Sequence, residues 1–453
     1  MNASLTSAKP RRKMGTGAKV ALGTLATLTL LMAGLADTIS RRNELPNITI
    51  PVSPEPNPNA RNFFLAATGA MQDTKSIDDA VSKPPTSKVA KSTAHEASHV
   101  YTLAEKAKIV RENQNALVTL RQGFAYSYGS PPARSFSAIF PEFAKFRQMA
   151  RLLTLEGQVK EAQGDWNGAV SSELDAIEMG VMLPRNGVLI ADLVGIACEA
   201  IGRRRLWDDY SRLNAAQTVA ALRRLEKIEA KRFSFADVIE EEKRIGQAGM
   251  LEAFQNPEKF AGEADATDTE GNQKESGLQK LAWQMRVKWA GRRAIFENYT
   301  RYMNQFTQNS RQSYGLHLPP PLVPNDPINQ IMLPVLNQVR IKQVSAETEN
   351  RLLAVSLALH VYREAHGVYP QSLDAVWANV PPSLRNDPFA AQGDLRYRRD
   401  GAKYVLYSVG PDGRDDGGKP IYDKTKAVSD SSERARYFTQ QDSVGDVVAG
   451  ANQ

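Results

Sequence analysis

A mainly α-helical fold, with a small α+β module near the C-terminal end, is what this chain of 453 residues predicts. Three observations carry that expectation. Apolar residues recur at helical spacing through most of 61–325, two short strand-like runs stand in LRYRRDGAKYVLYSVG, and a charge-free stretch at 20–36 lies apart from everything else. The apolar fraction of 42% and charged fraction of 24% are those of an ordinary folded protein, so bulk disorder is not expected.

Residues 20–36 read VALGTLATLTLLMAGLA, preceded by Arg11, Arg12, Lys13 and Lys19. A stretch of about 20 apolar residues spans a bilayer, and a basic flank stays cytoplasmic. The expectation is a transmembrane anchor, single-pass in a bacterial inner membrane, with the bulk of the chain extracytoplasmic. A cleaved signal peptide, cut before Asp37 behind Gly34 and Ala36, is the competing reading. The body is exported in either case. The formal charge of +7 resides almost wholly here, because residues 1–42 carry seven lysines and arginines against Asp37 alone. A nearly neutral remainder gives no basic face, and nucleic acid is not an expected partner.

Residues 43–60 are proline-rich and predict an extended spacer. A helical bundle follows over 61–325. Its piece around Gly157, Gly164, Asp165, Trp166, Ala169 and Ala176 resembles a single tetratricopeptide hairpin, or is an ordinary helical hairpin; no second unit repeats the spacing. The next helix, 189–206, carries Gly195, Ala197 and Ala200, which admit a close neighbour. Arg203, Arg204 and Arg205 read as a solvated helix end, and 240–244 (EEEKR) as a wet face. Cys198 is alone and reads as a small buried residue. A basic helix over 278–306 with Trp283, Trp289 and Phe296 points its aromatics either into a core or onto a membrane surface. Pro334 should start or kink a long helix that ends at Gly367, and 426–453 predict a disordered tail.

Two constellations carry candidate chemistry. His95-Glu96-Ala97-Ser98-His99 has the H-E-x-x-H spacing that sets two histidines one helical turn apart for zinc, with Glu96 to activate water. No third ligand is apparent, since Glu105 and Glu112 share the same helix. The second is Gly410-Pro411-Asp412-Gly413-Arg414-Asp415-Asp416-Gly417-Gly418. Aspartates among glycines can offer calcium the several oxygens it needs, or simply make a tight turn. His360 reads as part of a helix face, and His366 as a donor at that helix's end.

The order of a helix ending in HGVYP, then DPF, then KYVLYSVGPDGRDDGG resembles the C-terminal domain of the major pseudopilin of the type II secretion system. That resemblance implies calcium at the loop, with Asp412 matching the family's PDG aspartate and Asp415 and Asp416 its later acidic pair. A prepilin cleavage site is missing, so incorporation into a pilus is not implied. The segments FRQMARLLTLEG, VLIADLVGIACEAIG and VYREAHGVYP are also similar to a set of uncharacterised, membrane-anchored bacterial proteins. The expected function is therefore a non-enzymatic cell-envelope protein whose helical scaffold (61–325) carries a calcium-steadied module (326–425) to an envelope protein partner. The alternative is a zinc metallopeptidase using His95, Glu96 and His99.

Overall fold

The computed structural model describes residues 32, 37–81, 99–256, 285–334, 336–424 and 436–451. The expected anchor lies outside them except for Met32, and among the described residues no helix is long and apolar enough to cross a membrane. The fold is mainly helical, with one small antiparallel sheet.

Residues 44–59 form no helix or strand, but they lie along the body: Arg134 Nη2 donates to the Pro51 carbonyl, and Arg244 Nη1 to Ser53 Oγ. Asn59 then caps α1 (Ala60–Ala70) by accepting from the Arg61 amide. Next come α2 (Thr74–Val81), α3 (Leu103–Glu112) and α4 (Gln114–Gly123). Helix α5 (Glu142–Ala162) and α6 (Trp166–Met182) make the predicted hairpin. Gly164 turns it at φ 79°, and the Asp165 carboxylate caps α6 from the Gly168 amide at 2.8 Å. Helix α7 (Leu189–Asp209) crosses α6 closely. A methyl group at Gly195 would stand 2.5 Å from the Gly180 carbonyl oxygen, so only glycine fits there. Helices α8 (Ala215–Glu229), α9 (Phe235–Gln255) and α10 (Arg292–Ser310) complete the body.

The chain then makes a short helix, α11 (Asn329–Met332), breaks at Pro334 and runs on as α12 (Leu336–His366). Proline lacks the amide that a continuous helix would need there. Every residue from Leu352 to His360 is buried, so this stretch of α12 is wrapped on all sides. Its start packs with α9 and α10, and its remainder with α6, α7, α8 and the C-terminal cap in one continuous apolar core. The N-terminal helices and α5 pack in a third core, to which α6 contributes Ala176, Met179 and Met182 and α7 contributes Ala191, Val194 and Cys198.

In the cap, β1 (Arg396–Asp400) and β2 (Lys403–Ser408) form a two-residue hairpin at Gly401, and β3 (Val447–Val448) pairs with the end of β2. This corrects the expected disordered tail. Of 426–453, the described residues 436–451 return to the cap, because fully buried Val447 fills its core and Asp446 supplies an acceptor to a loop described below. Two more expectations are corrected. Arg203 is buried against Glu349 and Asn350, and Arg205 is bonded to Glu161, so of the three arginines Arg204 alone is exposed as expected. Glu241 is buried between Arg134 and Arg244, and Glu242 accepts from the Leu189 amide at 2.8 Å. That face of α9 is internal, its charges paired with Arg134 of a preceding loop, with Arg244 one turn on, and with the first amide of α7.

Candidate functional site

A buried polar knot ties α12, the helix that leads into the cap, to α7 and α8 of the body. Asn350 is 0% exposed. Its amide donates to Glu199 Oε2 at 2.8 Å and Glu229 Oε1 at 2.6 Å, and its oxygen accepts from Arg203 Nη1 at 2.7 Å. Arg232 forks onto the same two glutamates, at 2.6 Å to Glu199 Oε2 and 2.7 Å to Glu229 Oε1. Burial alone would raise the Glu229 carboxyl, yet the Arg232 guanidinium and Asn350 outweigh it and hold that group below its ordinary value. Helices α7, α8 and α12 are thereby fixed in one register.

Beside this knot a cleft of about 620 Å³ opens between body and cap. Arg340 stacks on Tyr314 and donates to the Asn309 and Gln312 carbonyls, both at 3.1 Å. Arg351 reaches the Asn386 carbonyl at 2.9 Å and also Glu347. Both arginines brace the walls. Neither histidine nor cysteine is among the lining residues, and the cleft shows no nucleophile held by a base.

The cap's Asp/Gly loop is organised by a residue that the sequence reading placed in the tail. The Asp446 carboxylate accepts from the amides of Gly418 at 2.7 Å, Lys419 at 3.2 Å and Asp416 at 3.4 Å. Burial pushes its pKa up to about 6, against these bonds. Three amides aimed at one carboxylate are the inverse of a cation cage. Asp412 accepts from the Arg414 amide at 3.1 Å; Asp415 accepts from the Tyr407 hydroxyl at 2.9 Å and stands 3.7 Å from Arg396. The loop holds Asp412, Asp415 and Asp416 near one another in sequence, but they are not among the described carboxylate groups that converge within cation-binding distance. On the cap's other side, Asp387 of the DPF turn accepts from Ser408 Oγ at 2.5 Å and the Val409 amide at 2.9 Å, tying that turn to the end of β2.

No family model, curated protein or solved structure matches this chain. The site therefore rests on its own chemistry. Of the H-E-x-x-H residues, His95 and Glu96 lie outside the described residues. His99 precedes the helix instead of riding on it: α3 begins at Leu103 behind a Thr102–Glu105 capping box. His99 is exposed and bonded to Glu105 Oε1 at 3.0 Å. His360 is buried, 3.0 Å from the Leu213 carbonyl, and His366 Nδ1 meets the Tyr362 carbonyl at 2.9 Å, a helix-end contact as read from the sequence. Cys198 is buried, and desolvation pushes its thiol up to about 12, which makes it unreactive.

One surface feature bears on placement. Trp289 is 65% exposed and Met285 52% exposed, beside outward-facing Arg286 and Lys288. The helical segment 37–43 docks against this stretch, Asn43 donating to the Lys288 carbonyl at 3.2 Å and accepting from the Arg292 amide at 3.3 Å.

Proposed function

We propose that this chain is a membrane-tethered, non-enzymatic scaffold of the cell envelope, whose body and pseudopilin-like cap act as one rigid piece and receive a protein partner in the cleft between them. The observation that carries this reading is the shared core of α6, α7, α8, α12 and the cap, closed over the Asn350 knot. A hinge would need a seam that the chain has filled with apolar side chains. Membrane proximity is supported by the docking of segment 37–43 next to Trp289, Met285, Arg286 and Lys288, a mix of aromatic and basic residues that suits the headgroup layer. Calcium at Asp412, Asp415 and Asp416 is not carried into this reading: Asp446 already orders that loop, and the three carboxylates are not among the described groups that converge within cation-binding distance.

The test is made in bacterial cells producing the full chain. External protease on spheroplasts should digest the body, and a photo-crosslinking residue at Gln392 in the cleft should capture one discrete protein that the same residue at exposed Leu322 does not. A body protected from protease, or equal capture at both positions, contradicts the reading.

A further inference from the structure

Three carboxylates from three helices converge inside the body: Glu161 in the last turn of α5, Glu173 in the middle of α6, and Asp209 as the final residue of α7. Each offers an oxygen, and these oxygens lie within 4.8 Å of one another. Glu173 is 0% exposed and Asp209 4%. Both oxygens of Glu173, together with Glu161 Oε1 and Asp209 Oδ2, are buried without any hydrogen-bond partner. Arg205 is bonded to Glu161 through Nη2, which stands 4.0 Å from Asp209 Oδ2. Lys106 is close enough to feel Glu161 and Arg205, but its ammonium donates to Gln158 Oε1 at 2.8 Å. Neither cation bonds Glu173, although Arg205 is near enough to favour its charge.

Such an arrangement is unfavourable as it stands. A buried carboxylate with no donor is strongly destabilising, and α5 and α7 both direct the negative ends of their dipoles into the same place. Three carboxylates against Arg205 leave two negative charges, which one divalent cation neutralises. The donors are all oxygens, the preference of a hard cation. Ligands about 2.3 to 2.6 Å from a calcium-sized ion stand at most about 5 Å apart, so the observed spacing needs little adjustment. Glu161, whose side chain is 15% exposed, forms the entrance.

We propose that Glu161, Glu173 and Asp209 form a buried binding site for a hard divalent cation of the calcium class, which locks the α5–α6 hairpin onto the end of α7. This site is separate from the cap loop and from the cleft, and it stands or falls independently of the scaffold reading. The competing occupant is a pair of protons, since burial and the neighbouring Asp209 push the Glu173 carboxyl well above its ordinary range.

The full chain, stripped with chelator, is dialysed to equilibrium against calcium or manganese and its melting temperature followed. One ion per chain and a raised melting temperature are expected. Glu173→Gln should weaken binding by at least about 100-fold, the upper end of what even a change behind the ligands costs, while Asp415→Asn leaves it intact. Glu173→Gln keeps the shape and removes a buried charge, so the stripped variant should melt no lower than the stripped parent; Glu161→Gln, at the entrance, provides a second loss-of-binding variant. The proposal is overturned by a parent that binds neither ion at millimolar concentration, by an ion that Asp415→Asn removes and Glu173→Gln does not, or by cation-insensitive melting that rises on acidification, the mark of a proton pair.

Discussion

Replacing Asn350 with leucine tests the docking of α12, the helix that leads into the cap, on α7 and α8. The side chains have similar volume, so packing is nearly conserved while three hydrogen bonds to charged groups are lost: those to Glu199, Glu229 and Arg203. Each such bond contributes about 1.5 to 3 kcal/mol. Arg232 continues to bond both glutamates, and Arg203 keeps Glu349, so the low end of the range applies. The expected loss is about 4.5 kcal/mol, read from the urea midpoint at constant slope. Thr348→Val on the same helix is the control. It removes one local bond to the Val344 carbonyl at 2.8 Å, and should cost about 1 kcal/mol. A loss for Asn350→Leu no greater than that control would refute the claim that this knot holds the three helices in register.

Three further outcomes are expected. Gly195→Ala gains about 1 kcal/mol in helix propensity but forces its methyl to within 2.5 Å of the Gly180 carbonyl oxygen; the helices must part, and a net loss of about 1 to 2 kcal/mol by thermal melting is expected. Asp192 is buried with one unpartnered oxygen, and desolvation raises its pKa from 3.8 to about 7. The folded state then holds the proton more tightly than the unfolded, so stability falls as pH rises from about 4 to 7. Asp192→Asn should remove that slope, stabilising at pH 8 by up to about 4 kcal/mol and doing nothing at pH 4, as paired urea titrations will show. Asp446→Ala leaves the Gly418 and Lys419 amides without their acceptor, and should speed hydrogen exchange in the loop and β3 while leaving α6 protected.

The helical body could be read from the sequence because it depends on local spacing. The α5–α6 hairpin with Gly164 and Asp165 at its turn, the glycine of α7 that meets its neighbour, the break at Pro334 and the contact at His366 all follow from residues within a few positions of each other. What could not be read depends on partners far along the chain. Arg203 and Asn350 are 147 residues apart and Glu199 and Asn350 are 151 apart, so Arg203, in a basic run that looked solvated, is internal. Asp446 and the two-residue β3 follow a polar stretch with no alternating pattern, and nothing local marks them as part of a sheet. Glu161, Glu173 and Asp209 sit on three helices and make no motif. The Asp412, Asp415 and Asp416 loop was legible as a loop, but the residue that organises it was not.

The central claim is that body and cap are one cooperative unit, and hydrogen exchange across a urea series measures it most directly. Amides of β2 in the cap and of α6 in the body should lose protection together, at one midpoint and with one slope. A cap that opens at lower urea while α6 stays protected would show two independent pieces and contradict the account.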